Sequence, residues 1–405
     1  MEGILFGLDI GTTKVCAIVG EVRDGQLQII GLGIEESRGM RKGMVVDVND
    51  ASVAIARAVE KAEQSSGYEL TQALVSMAGE HLQSSNSAGI VTISRSTNGV
   101  TKADIDKALE AAQTVAVPAG RETVHVVPRR YQIDDHEGII SPIGMFGNRM
   151  EVEAHIITAS AAALKSLERV SRNVGIKTEE FVLNVLASAE SVLDPAEREM
   201  GVIVADIGGG TTDIALFTEG SVWHTDVISL GGFHFSNDIA IGLRVPYDIA
   251  DEIKVKYGNC RPDDLDPEHT FKVKPFSGEQ IEVGYRDLAE VIEARAEELF
   301  DMVLDSVKRS GYEGLLPAGI VLTGGSAQLR NLTHVAEKVM GVPARVAKPR
   351  NLVGLVDRLQ SPAYSTAVGL MRWALSDYGS FVPNREDGSQ RGGRLKEFFG
   401  RLLPG

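Results

Sequence analysis

The 405-residue chain has 43% hydrophobic and 24% charged residues, a composition typical of a soluble globular protein, and its length predicts at least two domains. Its formal charge of −15 argues against non-specific nucleic-acid binding as its main activity, so no nucleic-acid partner is expected. Its two cysteines, Cys16 and Cys260, provide neither a disulfide framework nor a metal-ligand spacing, which is typical of a reducing cytoplasm. We expect no signal peptide and no membrane span, because no apolar run approaches the roughly 20 residues that cross a bilayer.

Three β-rich runs open the chain, at about 4–9, 14–22 and 27–34, and are predicted to form an antiparallel meander. The first two are joined by Asp9-Ile10-Gly11-Thr12-Thr13-Lys14. Glycines let backbone N–H groups approach a phosphate, threonine hydroxyls can donate to its oxygens, and an aspartate at a strand end can hold hydrated Mg²⁺. If this pattern occurred only once, an ordinary glycine-rich hairpin between two strands would be the better interpretation.

The next predicted elements are a helix over about 51–64, capped by Asn49 or Asp50, and a strand over 73–77. A segment of different character then extends from about residue 83 to 160. It has β-rich runs at 89–94, 121–133 and 151–158, a helix at 102–113 and a glycine- and proline-rich loop, so we interpret it as an inserted α+β subdomain. Its histidines, His125, His136 and His155, lack the spacing of metal ligands and are expected to be ordinary surface or strand residues.

The first hairpin has a counterpart later in the chain. After a helix at 161–174, a short strand and a helix ending near 193, an apolar run over 202–207 leads into Asp206-Ile207-Gly208-Gly209-Gly210-Thr211-Thr212-Asp213. A turn signal follows each copy, Asp24-Gly25 after the first and Glu219-Gly220 after the second. This self-similarity predicts a duplicated unit in which each copy contributes one phosphate-binding hairpin.

Beyond the second hairpin we predict helices opening at Asn237 and around 250–254, a polar β-rich stretch over 262–284 and a long helix over 286–310. A strand at 320–323 then runs into Gly324-Gly325-Ser326 and a helix from about Asn331. Such a junction offers bare backbone against which a flat ring or a ribose can lie. A closing helix is predicted over 363–374.

The three glycine motifs resemble the two phosphate motifs and the adenosine motif of the actin, Hsp70 and sugar-kinase superfamily. Within it, the chain is similar to the FtsA family of bacterial cell-division proteins through Gly231-Gly232, Ser236-Asn237-Asp238-Ile239-Ala240, Glu252-Ile253-Lys254, the stretch 288–295 and the insertion. The resemblance implies an α/β, actin-like ATPase fold in which two duplicated RNase H-like domains flank a nucleotide cleft, with an inserted α+β subdomain.

On this basis the chain divides into six parts. The domain I core comprises 1–82, 161–199 and 363–380, and the inserted subdomain, the family's subdomain 1C, comprises 83–160. The domain II core comprises 200–230 and 312–362, and subdomain 2B comprises 231–311. A flexible linker at 381–393 and an amphipathic membrane-targeting helix at 394–405 complete the division.

The resemblance also implies ATP and Mg²⁺ as cofactors. The residues expected on the phosphates are Gly11, Thr12, Thr13, Lys14, Gly209, Gly210 and Thr211. Mg²⁺ would be held largely through water by Asp9 and Asp206, because this ion dehydrates reluctantly. The residues expected around the ribose and adenine are Gly231, Gly232, Asn237, Glu252, Lys254, Gly324 and Gly325.

Hydrolysis needs a residue that orients the attacking water. In related chaperones and bacterial actins a glutamate in the segment before the second phosphate hairpin has this role. Asn184 occupies the corresponding position here, and Glu190 lies nearby but out of register. An amide cannot accept a proton, so we expect slow ATP hydrolysis at most, with ATP acting mainly as a ligand that sets competence to polymerise.

The last residues carry a separate signal. The linker at 381–393 has little that could be buried and is predicted to be flexible. Five apolar residues then share one helical face and three cations flank it: Leu395, Phe398, Phe399, Leu402 and Leu403, with Arg394, Lys396 and Arg401. So short a helix is unstable alone in water, and we expect a membrane with anionic lipid to stabilise it, the alternative being docking on the protein's own body. Five apolar residues bind reversibly, so stable attachment needs many copies held in a polymer.

The resemblance implies a peripheral protein on the cytoplasmic side of the cell membrane, at the midcell division site. It would polymerise with itself, tether FtsZ through the FtsZ carboxy-terminal peptide and recruit later division proteins. Arg286 and Arg295 are the candidate FtsZ contacts, and a solvated helix face is the alternative for both. Two other classes remain: a pilus-assembly actin homologue, and a kinase or Hsp70-like ATPase.

Overall fold

The computed structural model describes residues 3–23, 26–93, 99–114, 117–312 and 314–376. The predicted linker, the membrane-targeting helix and the Asp24-Gly25 turn lie outside these ranges. The strands are β1 (Gly3–Ile10), β2 (Lys14–Arg23), β3 (Gln26–Glu36), β4 (Met40–Arg41), β5 (Met44–Val45), β6 (Gln72–Met77), β7 (Leu82–Thr92), β8 (Arg121–Ile133), β9 (His136–Ile139), β10 (Arg149–Ser160), β11 (Lys177–Leu183), β12 (Val202–Ile207), β13 (Thr212–Thr218), β14 (Ser221–Ile228), β15 (Thr270–Val273), β16 (Ile281–Gly284), β17 (Ile320–Thr323) and β18 (Ala344–Val346).

The helices are α1 (Val48–Ser66), α2 (Lys102–Gln113), α3 (Ala161–Asn173), α4 (Asn184–Val192), α5 (Pro195–Met200), α6 (Gly232–Leu243), α7 (Tyr247–Tyr257), α8 (Tyr285–Arg309), α9 (Leu332–Met340) and α10 (Ser365–Trp373). Short 3-10 turns cover Pro262–Asp264, Gly325–Gln328, Asp357–Leu359 and Pro362–Tyr364. Within the described ranges, none of these helices combines the length and the apolar character that crossing a bilayer requires.

Two five-stranded sheets in the molecule share one topology. The first has the order β3-β2-β1-β6-β11 and the second has the order β14-β13-β12-β17-β18. In each sheet the first three strands are antiparallel neighbours and the last two run parallel to the central strand. The second central strand, β12, is buried along its whole length, because elements cover both faces of the sheet. The duplicated unit predicted from the glycine motifs is therefore present.

Several helix starts differ from the predictions for identifiable reasons. Helix α1 is capped by Asp47, whose carboxylate accepts the N–H groups of Asn49 and Asp50 at 2.8 and 3.0 Å, so neither of the two predicted residues is the cap. Helix α6 begins five residues before Asn237, because its first N–H, that of Gly232, donates to the Gly208 carbonyl. Its first turn is thereby joined to the second glycine hairpin.

The segment predicted as an insertion forms a third sheet of order β7-β10-β8-β9, covered by α2. It has its own apolar core, which includes Val100, Leu109, Met150 and Val152. Pro128 in β8 pairs with Ala154 at a register shift between β8 and β10, which accommodates the missing N–H of proline. The α+β character predicted for this segment is correct.

The insertion also packs against the second five-stranded sheet. The guanidinium of Arg129 lies 3.8 Å from the centre of the Trp223 ring on β14, and its Nη1 is 2.6 Å from a carboxylate oxygen of Glu153. The hydroxyl of Ser84 donates to the backbone carbonyl of Thr225 at 2.7 Å. Because the insertion is joined in sequence to the first sheet, it bridges both halves of the molecule.

His155 is buried within this contact. Its Nδ1 lies 2.7 Å from Asn86 Oδ1 and its Nε2 lies 2.9 Å from Thr225 Oγ1. Burial lowers the pKa of His155 to about 3, and His224 and Arg129 add to the effect. The histidine is therefore neutral at physiological pH and joins the insertion to β14.

This pKa predicts a pH-dependent stability. An unfolded histidine titrates near 6.5, so the contribution of neutral His155 is complete above that pH. It is lost as the pH falls toward 3, at no more than about 1.4 kcal/mol per pH unit. We expect the free energy of unfolding of a His155→Gln variant to fall less between pH 7.5 and 5 than that of the parent, as measured by urea titration. His136→Gln, at an exposed position on the same subdomain, is the control and should follow the parent. Parallel curves for the parent and His155→Gln would contradict this prediction.

Candidate functional site

A cavity of about 470 Å³ lies between the two five-stranded sheets, where β1 and β12 end. Each of these strands has a buried aspartate as its next-to-last residue, Asp9 in one and Asp206 in the other. The first half contributes Asp9, Ile10, Gly11, Thr12, Thr13, Lys14, Gly43, Ala78 and Asn184 to the wall. The second half contributes Asp206, Gly208, Gly209, Gly210, Thr211, Asp213, Gly232, Phe233, Asp251, Lys254, Val255, Gly258, Gly324, Gly325, Ser326, Gln328, Leu329 and Arg330, and the closing segment adds Ala363 and Thr366.

The two glycine hairpins have the same internal geometry. The Gly11 N–H donates to the Lys14 carbonyl at 2.9 Å, and the Gly208 N–H donates to the Thr211 carbonyl at 2.9 Å. The number of residues between Asp9 and Asp206 also separates Gly11 from Gly208 and Lys14 from Thr211. The hairpins are therefore structural copies of one turn.

The hairpins face each other across the cavity. A β-carbon added to Gly209 would lie 2.3 Å from Thr13 Cγ2, and one added to Gly210 would lie 3.1 Å from Thr12 Oγ1. Real β-carbons do not approach other atoms at the first of these distances. A side chain at either glycine would therefore force a neighbouring group to shift where the two hairpins meet, whereas glycine leaves the backbone N–H groups of both hairpins uncovered.

Asp9 is held by two side chains. Ser76 Oγ donates to its Oδ1 at 2.9 Å, and the ammonium of Lys14 lies 3.2 Å from its Oδ2. Burial by itself lowers the pKa of Lys14, but the charge and hydrogen bond of Asp9, together with Cys16 and Asp206, outweigh burial and raise the pKa. Lys14 is therefore cationic beside the first hairpin.

Asp206 accepts hydrogen bonds from Ser188 and Thr366, the latter at 3.0 Å. Burial raises the pKa of Asp206, although both hydroxyls favour the ionised form. A cation at this position would relieve the cost of the buried charge.

Two polar atoms in the cavity wall have no protein partner in the described ranges. They are Oδ1 of Asp213 and Oδ1 of Asn184. Burial, followed by the charge of Asp206, raises the pKa of Asp213 well above its usual range. Buried acceptors without donors are rare in proteins and indicate that a donor such as ordered or metal-bound water belongs beside them.

The carboxylates fit a hydrated magnesium ion. Across the described residues, no group of three or more His, Cys, Asp and Glu side chains is placed to hold a metal ion. Asp9 and Asp206 can instead contact the water shell of Mg²⁺, which this ion releases reluctantly. The glycine hairpins supply N–H donors for phosphate oxygens, so the donor set suits a Mg²⁺-bound polyphosphate.

At the far end of the cavity, Lys254 is the central polar residue. Its ammonium lies 2.5 Å from Asp251 Oδ1, 2.7 Å from Ser236 Oγ and 3.2 Å from the Gly232 carbonyl. Val255 and Leu329 add apolar surface. This end therefore combines a cation and hydroxyl groups with apolar side chains, as a nucleoside would require.

The predicted glycines of this region have different roles. Gly324 has a φ of +84°, and a β-carbon there would lie 2.4 Å from Asp206 Oδ1. Gly231 packs beneath the second hairpin, where a β-carbon would lie 2.8 Å from the Gly208 carbonyl oxygen, and it is not part of the cavity wall. Gly325 leaves its backbone open to the cavity.

Besides Gly231, three residues predicted for the site are not brought to the cavity. Asn237 and Glu252 are exposed and lie outside its wall, and residues one position earlier, Ser236 and Asp251, point toward Lys254 instead. The Glu190 carboxylate pairs with Arg198 Nη1 at 2.7 Å, away from the cavity. Of the two residues considered for orienting water, the structure places only Asn184 in the wall.

The two arginines predicted to bind a peptide lie on α8, outside the cavity. Arg295 contacts Asp238 through Nε at 2.5 Å and Nη2 at 2.8 Å, and also pairs with Glu298. Arg286 is more exposed and makes longer contacts, 3.4 Å to Asp263 and 3.6 Å to Glu290. Arg295 thus links α8 to α6, whereas Arg286 is the freer cation.

Sequence reasoning missed the residues that support the two aspartates. On β6, Ser76 lies beside Asp9, because the parallel strands β1 and β6 pair Leu8 with Val75, one position earlier on each strand. In the second sheet, β12 and β17 are also parallel and pair Asp206 with Thr323. The pairing of parallel strands could have identified these positions. Ser188 and Thr366 lie on helices distant in sequence from Asp206, and no local sequence pattern predicts their contact with it.

Comparisons with known proteins were made for the whole chain. A family model described as "Cell division protein FtsA" matches residues 203–369, and one described as "SHS2 domain inserted in FTSA" matches residues 79–158. The cell division protein FtsA of Pseudomonas aeruginosa is 44% identical over 375 residues, covering 92% of this chain and 89% of that protein. The FtsA of Neisseria meningitidis is 39% identical and covers 94% and 92%.

Solved structures extend the likeness to the fold. The chain resembles a PilM–PilN type IV pilus biogenesis complex (TM-score 0.66, 16% identity, covering 90% of this chain and 97% of that one). It resembles MreB 5 of Spiroplasma citri bound to AMPPNP (0.57, 15%, 99% of both chains) and a MamK double helical filament (0.51, 13%, 92% and 99%). At these identities the likeness shows the fold, which is the predicted actin-like ATPase fold.

Proposed function

The chain belongs to the FtsA family of cell-division proteins, and from this premise we propose that it binds ATP with Mg²⁺ between its two halves and that the bound nucleotide sets its competence to polymerise. The observation that carries the proposal is the meeting of two copies of one glycine-and-threonine hairpin over a single cavity. The AMPPNP bound to an MreB of the same fold supports the choice of nucleotide.

Each part of the cavity has a task in this proposal. Backbone N–H groups and hydroxyls of the two hairpins bind the phosphates from opposite sides, and Lys14 adds a positive charge. Asp9 and Asp206 hold Mg²⁺ through its water, and the ion neutralises phosphate charge when bound. Gly324 and Gly325 offer bare backbone to the nucleoside, next to Lys254. Because one ligand is bound by both halves, its presence favours one angle between them.

Turnover is slow in this proposal. Asn184 lies in the cavity wall and its Oδ1 has no partner in the described part of the chain, which supports a contact with water there. An amide can orient that water but cannot take its proton. ATP therefore acts chiefly as a structural ligand.

At the level of the cell, we propose a filament on the cytoplasmic side of the membrane at midcell. The residues at 394–403 attach each copy reversibly to anionic lipid, and polymerisation makes the attachment stable. FtsZ binds through its carboxy-terminal peptide on the face of α8, where Arg286 is the stronger candidate contact because Arg295 is engaged with Asp238. Later division proteins bind the inserted subdomain. The family matches favour this function over pilus assembly and over a kinase or Hsp70-like ATPase.

Sedimentation with liposomes tests this proposal. The intact chain should pellet with vesicles containing anionic lipid in the presence of Mg²⁺ and ATP, and pellet less without ATP. A chain truncated after Phe381 should stay in the supernatant, because it lacks the apolar face. Vesicles of neutral lipid are the control for the charge contribution. In a second series, the FtsZ tail peptide should co-sediment with the intact chain and less with an Arg286→Ala variant. If the intact chain remained in the supernatant under every condition, the scaffold function would be excluded.

A further inference from the structure

A small hairpin formed by β4 and β5 reaches the cavity from the first half of the molecule. Its strands pair Met40 with Val45 and Arg41 with Met44, which leaves Lys42 and Gly43 as a two-residue turn. Both turn residues have positive φ, 47° and 74°, the geometry favoured by tight hairpin turns. The side chain of Lys42 thus projects from a backbone of defined shape.

This turn lies against both phosphate hairpins. The N–H of Gly43 donates to Thr12 Oγ1 at 3.1 Å, and Gly43 is part of the cavity wall. A β-carbon on Gly210, in the other half, would lie 2.9 Å from the Cα of Lys42. The backbone of Lys42 is therefore adjacent to the place where the two hairpins meet.

The ammonium of Lys42 is held weakly and outside the cavity wall. It lies 3.3 Å from Glu80 Oε1, and both side chains are more than a third exposed. The same Glu80 oxygen accepts the hydroxyl of Ser229, which follows β14 in the second half. An exposed ion pair of this length contributes little, so Lys42 is free to exchange Glu80 for a stronger anion.

Among the described residues, the hairpin end of the cavity wall has no cation without a carboxylate partner that could bind a third phosphate. Its wall contains three carboxylates, Asp9, Asp206 and Asp213, and the ammonium of Lys14 is paired with Asp9. A terminal phosphate adds negative charge to this carboxylate-rich region. Lysine carries its charge on a flexible four-carbon stem, which allows Lys42 to turn from Glu80 toward a phosphate bound at Gly210.

We propose that Lys42 binds the terminal phosphate of the nucleotide and thereby distinguishes a triphosphate from a diphosphate. Glu80 is the competing partner that retains the ammonium when the terminal phosphate is absent. This inference rests on the proposed function, because it assigns a residue to the same site. It names a second lysine at the phosphates, from a segment that lies outside the glycine motifs.

Calorimetric titrations of the full chain with AMPPNP and with ADP, in Mg²⁺, test this assignment. Asparagine tolerates positive φ, so Lys42→Asn removes the ammonium and keeps the turn. Lys42→Asn should weaken AMPPNP binding about tenfold and change ADP binding less than twofold, since a hydrogen bond to a charged group is of that size. Lys42→Arg should restore most of the AMPPNP affinity. Glu80→Gln should strengthen AMPPNP binding by about two- to threefold, because it removes the competitor.

Lys61→Asn is the matched control, because the Lys61 ammonium pairs with Glu35 at 2.6 Å, away from the cavity. It should leave both affinities unchanged. Equal losses of AMPPNP and ADP affinity in Lys42→Asn would show that the turn is only structural, and unchanged affinities would show that Lys42 does not reach the phosphate; either result overturns the assignment. A parent protein that binds neither nucleotide would instead overturn the proposed function itself, together with this assignment.

Discussion

An Asp206→Asn variant is expected to lose most of its affinity for ATP in Mg²⁺ while its nucleotide-free form unfolds no more easily than the parent. The carboxylate is buried, accepts two hydroxyls and stands where β12 meets the cavity. Removing its charge removes one of the two anionic groups that fit the hydrated ion, and we expect the dissociation constant to rise about a hundredfold, equivalent to about 3 kcal/mol. Calorimetric titration with ATP in Mg²⁺ provides the measurement.

Whereas the Asp206→Asn variant should lose ATP affinity, its stability without nucleotide should stay the same or increase. Burial raises the pKa of Asp206, which means that the folded protein holds this charge at a cost. A neutral amide avoids that cost, so thermal unfolding without nucleotide should occur at the same or a higher temperature. Asp305→Asn, on the exposed face of α8, is the control and should change neither property. Full ATP affinity in Asp206→Asn would mean that the cavity does not bind a Mg²⁺-dependent nucleotide through this aspartate.

A Gly369→Ala variant is expected to lose about 3 kcal/mol or more of its free energy of unfolding. Gly369 lies where α10 crosses α4, and a β-carbon there would lie 1.8 Å from the carbonyl oxygen of Ala187 and 2.3 Å from its carbonyl carbon. Both obstacles are backbone atoms, so no side-chain rotation can relieve the clash. The two helices must separate, and urea titration would report the loss.

Gly242→Ala provides the matched control. Gly242 also lies in a helix, α6, but a β-carbon there would meet nothing within 4 Å. Alanine should therefore stabilise the protein there by about 0.5–1 kcal/mol. Because α4 carries Asn184 and Ser188 toward the cavity, Gly369→Ala should also weaken nucleotide binding. If the two variants proved equally stable, the close packing of α10 on α4 would be refuted.

The parts of this molecule that were predictable are those that depend on local sequence. The hairpins at Asp9 and Asp206 are predictable because an apolar strand, an aspartate and a glycine turn follow one another without interruption. The sequence predicts the cap of α1 at Asn49 or Asp50, because several residues in a row can cap a helix. Only the backbone geometry selects Asp47.

What was not predictable depends on contacts between distant segments. Ser188 and Thr366 reach Asp206 from two different helices, and a spacing rule cannot connect them. Family likeness predicts Asn237 and Glu252 for the site, but a shift of one residue along a helix turns a side chain by about 100°. The ion pair of Arg295 with Asp238 likewise depends on how α8 and α6 are packed. Tertiary packing, and not residue type, decides such cases.

The bridge made by the inserted subdomain has a mechanical consequence. The insertion is joined to the first half through β7 and β10, and Arg129, Ser84 and His155 contact β14 in the second half. A hinge movement that widens the cavity must therefore break these contacts or move the insertion with it. For the proposed nucleotide, part of the resistance to release would therefore come from these contacts, away from the ligand itself. The orientation of the inserted subdomain would therefore change with the angle between the two halves.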